Sequence, residues 1–129
     1  MKMKELFSDV IISGDFNKLE DFDFEGVYII CDKNDEIVYI GSAYGRPIKE
    51  RLQQYLHEKD SGNTLGHAIA KSLSNSEKYD DKAKEKMEDA MNMIKTFKIK
   101  AIKYYDLEYF LIKTANPKYN KNGTDKKSV

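Results

Sequence analysis

Two β-rich runs constrain this chain most. They are Gly26-Val27-Tyr28-Ile29-Ile30-Cys31 and Glu36-Ile37-Val38-Tyr39-Ile40-Gly41, separated only by Asp32-Lys33-Asn34-Asp35. β-Branched and aromatic residues suit a pleated strand, and an Asp/Asn-rich link suits a turn, so the segment predicts a β-hairpin. A tight turn pairs Cys31 with Glu36 and sets Tyr28 directly opposite Tyr39. Directly paired residues share a face, so both phenols would stand on one sheet surface with Cβ atoms about 4.5–5.5 Å apart. Val27, Ile29, Val38 and Ile40 would then point to the other side.

The remaining elements follow from periodicity. Residues 1–24 are an acidic lead-in, in which Leu6, Phe7, Val10, Ile11 and Ile12 suggest a short element docking on the core. Residues 47–59 predict a helix opened by Pro47, with Ile48, Leu52, Tyr55 and Leu56 on one stripe and Arg51 at its margin. Residues 64–74 predict a second helix, with Leu65, Ile69 and Leu73 inward. His57 and His67 fall on outward faces. Residues 72–81 read as a loop. Ala83, Met87, Ala90, Met91 and Ile94 stripe a third helix. Alternation through 97–104 sets Phe97, Ile99 and Ala101 against Lys98 and Lys100, a strand with one wet face. A last helix is expected over 106–115, capped by Asp106 and ending before Asn116-Pro117.

The chain of 129 residues fits one domain with a modest core. Its 22 Lys+Arg balance 22 Asp+Glu, which excludes a strongly basic nucleic-acid binder at the level of the whole chain. The balance is uneven along the sequence. Residues 1–36 carry 4 basic and 10 acidic side chains, a net of −6, and residues 37–129 carry 18 and 12, a net of +6. Residues 123–129 form a polar, basic tail. Cys31 is the only cysteine, which excludes an intramolecular disulfide and a cysteine-based zinc site. No apolar run approaches the roughly 20 residues of a membrane span, and Met1-Lys2-Met3-Lys4-Glu5 leads into no signal-peptide core. A soluble cytoplasmic protein is expected.

Few residues invite chemistry. Glu108 lies in Tyr105-Asp106-Leu107-Glu108-Tyr109-Phe110-Leu111-Ile112, which is apolar on nearly every side of the helical wheel. A carboxylate there needs a cation or several donors. It reads as a structural ion pair, or as a metal ligand or general acid/base. Arg51 reads as a surface side chain covering apolar area, or as a phosphate clamp. Tyr28 and Tyr39 read as sheet packing when taken alone. No nucleophilic triad and no phosphate-binding loop is present.

Taken together and in order, these residues resemble the GIY-YIG nuclease family. Gly26-Val27-Tyr28 is followed by Tyr39-Ile40-Gly41. Arg51 comes in the next helix, with Leu52 and Tyr55 behind it. Glu108 sits in a Leu-Glu-x-x-Leu-Ile pattern, and Asn116-Pro117-x-Tyr119-Asn120 closes the domain. The resemblance covers about residues 25–122. It implies an α/β (α+β) domain, a small central antiparallel sheet of about three strands flanked by helices, with 74–95 a helical insertion. It also implies a metal-dependent endonuclease that hydrolyses DNA phosphodiesters with one divalent ion, Mg²⁺ or Mn²⁺. Carried over, Glu108 holds the metal and Arg51 contacts the scissile phosphate. Tyr28 or Tyr39 positions or deprotonates the attacking water, and Asn120 supports the site by hydrogen bonding. Gly41, Tyr55 and Arg46 are supporting residues, Gly41 by permitting close backbone approach and Arg46 as the substitute for Arg51.

The chain departs from the family pattern in places. Valine replaces isoleucine in the first triplet. Ser42 stands where the excision-repair branch usually has lysine, which argues against that branch. No DNA-targeting domain follows, so target choice is expected from this domain, a homodimer or a partner protein. A catalytically inactive module that binds nucleic acid or protein is the alternative.

Overall fold

The structure, a computed structural model, describes residue 2, residues 12–102 and residues 108–120, the side chains of residues 108–110 excepted. Four strands, β1 (Ile12–Asp15), β2 (Gly26–Cys31), β3 (Ile37–Ala43) and β4 (Lys98–Ile102), form one sheet in the order β1-β4-β2-β3. Every pairing is antiparallel. Among the described residues five helices accompany it: α1 (Ile48–Gln54), α2 (Thr64–Ser74), α3 (Asp81–Lys84), α4 (Met87–Ile94) and α5 (Glu108–Ala115). A 3-10 turn covers Leu19–Phe22. This is the expected α+β architecture with one strand more than expected. Ile12-Ser13-Gly14-Asp15 has little intrinsic strand preference. Pairing with the edge of β4, from Ile12 opposite Ala101 to Asp15 opposite Lys98, makes it a strand. Leu6, Phe7, Val10 and Ile11, the cap Asp106 and the basic tail lie outside the described residues.

The hairpin forms, but its register differs from the expected one. Asp32 pairs with Glu36, its N–H donating to the Glu36 carbonyl at 2.9 Å, and the Asp32 carboxylate accepts the N–H groups of Asn34 and Glu36 at 2.9 and 3.0 Å. Asp35 takes the left-handed conformation, with φ 65°. The loop is therefore three residues long, one fewer than supposed. A bulge at Val38 adds a second shift, because Ile30 faces Tyr39 while Cys31 faces Ile37. Two shifts of one residue restore the parity of the faces. Tyr28 and Tyr39 share a surface as expected, but Tyr28 stands opposite Gly41 and Tyr39 opposite Ile30. The tyrosines are diagonal neighbours rather than a direct pair. Val38, expected with Val27 and Ile29, packs on the tyrosine face because a bulge turns two successive side chains to one side.

Both sheet faces are covered. The tyrosine face receives Ile48, Leu52 and Tyr55 of the α1 segment, Leu65 and Ile69 of α2, and Met87, Ala90, Met91 and Ile94 of α4. The predicted third helix is thus split into α3 and α4. Its whole apolar stripe is buried, so residues 81–94 complete the core beside α2. On the other face, Val27, Ile29, Ile40 and Ile102 meet Leu111, Ile112 and Ala115 of α5. The expected wet face of β4 is wet only at Lys98 and Lys100, since Ile102 is buried under α5. Leu73, expected inward, is exposed. His67, expected outward, is half-buried and stacks on Tyr79 at 4.1 Å between ring centroids. No helix among the described residues is long and apolar enough to cross a membrane.

Candidate active site

Three tyrosines meet on one sheet face. Tyr28 comes from the centre of β2, Tyr39 from β3 and Tyr55 from the residue that ends α1. Tyr28 can lie across β3 because the residue opposite is Gly41. A Cβ there would stand 2.8 Å from Tyr28 Cε2 and closer still to its hydroxyl end. The missing side chain therefore makes room for the phenol of this chain itself. The Tyr28 and Tyr55 hydroxyls share a hydrogen bond of 2.5 Å, and both residues are buried. The Tyr39 ring centroid is 6.5 Å from that of Tyr28 and 5.8 Å from that of Tyr55. Its hydroxyl is exposed and sits 3.2 Å from Thr64 Oγ1. Burial, and then the neighbouring phenols Tyr28 and Tyr39, raise the Tyr55 pKa well above the usual phenol value, against the opposing pull of Arg51. Tyr55 is therefore a neutral hydroxyl at any physiological pH.

Arg51 closes the cluster. It projects from the last turn of α1, half-buried, with its guanidinium carbon 5.0 Å from the centroid of the Tyr55 ring. Its Nη1 donates to Gln54 Oε1 at 2.6 Å and to the Gly62 carbonyl at 2.7 Å, and its Nη2 donates to Thr64 Oγ1 at 3.3 Å. A loose surface arginine would lack this set of acceptors. Burial lowers its pKa, but the surrounding Tyr55, Tyr28 and Tyr39 outweigh that and leave it raised, so the charge is permanent. Arg46, exposed in the loop after β3, donates from Nη2 to the same Gln54 Oε1 at 2.9 Å. Two guanidinium groups thus converge on one oxygen.

The frame behind these groups is polar and buried. Asn63 is fully buried, and its Nδ2 donates to the Tyr55 and His57 carbonyls at 3.3 and 3.1 Å. Its Oδ1 accepts the Gly66 N–H at 2.9 Å, which caps α2. One side chain therefore fixes the end of α1 against the start of α2, and so Tyr55 and Arg51 against Thr64. Asn120 does similar work on the other side. Its Oδ1 accepts the Ile40 N–H at 2.7 Å and its Nδ2 donates to the Ile40 carbonyl at 2.8 Å. The amide completes the free edge of β3 between Tyr39 and Gly41, as a neighbouring strand would.

Of the residues predicted from sequence, Tyr28, Tyr39, Tyr55, Gly41, Arg51 and Arg46 gather in this one place, with Asn120 behind them. Glu108 is the first residue of α5, and its side chain lies outside the described residues. The apolar residues Leu111, Ile112 and Ala115 of α5 pack on the face opposite the tyrosines. Gln54, Thr64, Asn63 and Gly62 were missed. Gln54 is legible in retrospect, three residues from Arg51 on one helix. Thr64 and Gly62 are not, because the loop that returns them to Arg51 has no periodic signal.

Among the described residues no group of three or more His, Cys, Asp and Glu side chains is assembled. The oxygens of Gln54, Gly62 and Thr64 are taken up by the Arg51 guanidinium and are not offered to a cation. A hard cation held by a single carboxylate draws its other ligands from water and phosphate oxygens. No curated protein matches the sequence significantly. The sequence profile of the GIY-YIG catalytic domain matches residues 24–120.

Proposed function

Because this chain belongs to the GIY-YIG family, a nuclease-type family whose members act on DNA and generally use divalent metal ions, we propose that it is a metal-dependent endonuclease that hydrolyses DNA phosphodiester bonds. The convergence of Arg51 and Arg46 on one oxygen beside three tyrosine hydroxyls carries this reading. A phosphate oxygen offers the same kind of acceptor together with the charge that the neutral Gln54 carbonyl lacks. Planar guanidinium groups bind phosphate through paired N–H donors. In the bound complex Arg51 turns its donors from Gln54 to a non-bridging phosphate oxygen, and Arg46 follows. Charge building on the phosphoryl group then meets fixed positive charge in a half-buried site, where it counts for more than in water.

The hydroxyls handle the nucleophile. Tyr39 is the phenol that water reaches with no side chain moving, and Thr64 orients it. Tyr28, buried against Tyr55, becomes accessible only as Arg51 swings to the phosphate. Arg51 supplies fixed positive charge beside the rings, where negative charge would build as the water is activated. Glu108 would hold the divalent ion, which when bound supplies further neutralisation of the phosphoryl and leaving oxygens. Asn120 holds β3 straight beneath Tyr39 and Gly41.

A supercoiled-plasmid nicking assay with and without Mg²⁺ tests this. The wild type should nick only with the ion, and Glu108→Gln should bind DNA yet not cut. Wild-type protein that binds DNA without cutting it under any divalent ion would leave a binding module, and Glu108→Gln cutting at the wild-type rate would remove Glu108 from the site.

A further inference from the structure

A groove of about 490 Å³ runs between one face of α2 and the chain that follows α5. Ala68, Lys71, Ser72 and Asn75 form one wall, and Lys118 and Tyr119 the other. Its position is set by two contacts. The Tyr119 N–H donates to the Val38 carbonyl at 2.9 Å, which seats residues 118–119 along the outer edge of β3. The next residue of β3, Tyr39, reaches Thr64 at the start of α2. At 100° per residue, Thr64, Ala68 and Lys71 fall within about 60° of one another on α2. The groove therefore continues the line of Thr64, starting from the Tyr39–Arg51 cluster and running toward the far end of the helix.

Resting on the nuclease reading above, we propose that this groove carries the DNA strand flanking the scissile phosphate, with Lys71 and Lys118 holding its backbone from opposite walls. Lys71 lies seven residues after Thr64, or about 10.5 Å along the helix. Phosphates of one B-form strand advance about 3.4 Å each along the axis, so Lys71 meets the backbone roughly three nucleotides from the bond that is cut. The chemistry of the walls suits that occupant. Two lysines line the groove with serine, asparagine and a half-buried tyrosine ring, and Lys118 Nζ lies 5.4 Å from the centroid of that ring. Phosphate-binding lysines with hydroxyl and amide neighbours position a backbone without reading bases. Glu77 is the one acidic residue of the lining and lies at the Asn75 end, which marks where the strand leaves.

The test is fluorescence anisotropy of a labelled duplex, with Ca²⁺ in place of Mg²⁺, over a salt series. Each phosphate contact contributes about −0.9 to the slope of log affinity against log salt. Lys71→Ala/Lys118→Ala should flatten the slope by about 1.8, which is roughly a 60-fold loss at 0.1 M salt relative to 1 M. Lys82→Ala/Lys86→Ala, which removes the same charge from exposed sites outside the groove, should lose far less. Glu77→Gln should bind more tightly than wild type. Equal losses from the two double variants, or an unchanged slope in the groove variant, would overturn the groove while wild-type binding left the nuclease reading standing. A wild type that binds no DNA would remove both.

Discussion

Adding one methyl group at Gly41 should disable this domain more than its small size suggests. In a strand interior, Gly→Ala ordinarily stabilises by about 0.5–1 kcal/mol, because alanine loses less chain entropy on folding. Here the new Cβ would sit 2.8 Å from Tyr28 Cε2 and nearer to the phenol oxygen. The ring cannot slide away freely. Its hydroxyl is held by Tyr55 at 2.5 Å, Tyr39 lies beside it, and the residue is 1% exposed. Overpacking of this kind typically costs about 1–3 kcal/mol. The net expectation for Gly41→Ala is a loss of roughly 0.5–2 kcal/mol by urea denaturation with an unchanged m-value. Because the strain is specific to the ring, Tyr28→Leu should absorb it. The double variant Tyr28→Leu/Gly41→Ala should then be more stable than the sum of the single losses predicts, by more than about 0.5 kcal/mol of coupling. A Gly41→Ala protein as stable as wild type, or strict additivity in the cycle, would refute the argument that Gly41 exists to admit the Tyr28 ring.

Other expectations follow from the same contacts. Arg51→Lys should fold normally but lose about 10²–10³ in plasmid cleavage rate, the scale of one lost oxyanion donor, because an ammonium group cannot reproduce the fork. Tyr39→Phe should lower the cleavage rate more than Tyr28→Phe if the exposed phenol handles the water, and equal full activity in both would return the rings to packing alone. Asn120→Ala strips the Ile40 N–H and carbonyl of their partners and should cost about 1–3 kcal/mol by thermal or urea melting. His67 has its pKa lowered, first by burial and then by Lys71. The fold therefore disfavours its charged form, so its contribution is complete above the unfolded pKa of about 6.5 and is lost as pH falls through the folded value. His67→Gln should flatten the stability profile over that acidic range.

Much of the site was legible before any coordinates, because it rests on periodicities that local chemistry dictates. Alternation along 26–31 and 36–41 put Tyr28 and Tyr39 on one face. That conclusion survived a wrong register because a loop one residue shorter and a one-residue bulge cancel in parity. The 3.6-residue stripe put Tyr55 inward and left Arg51 at its edge, where its head could turn back to Tyr55. The residues around that head were not legible. Gly62 and Thr64 reach Arg51 only through the course of a loop, and Ile12–Asp15 is a strand only because β4 offers an open edge. Gly41 shows the division most clearly. The family resemblance marked it as a place of close backbone approach, but whether a ligand or a side chain of the protein comes there depends on which residue faces it across the sheet. Pairing between distant strands is settled by the total packing of both sheet faces, not by any single run of residues, and so only the tertiary structure decided that the occupant is Tyr28.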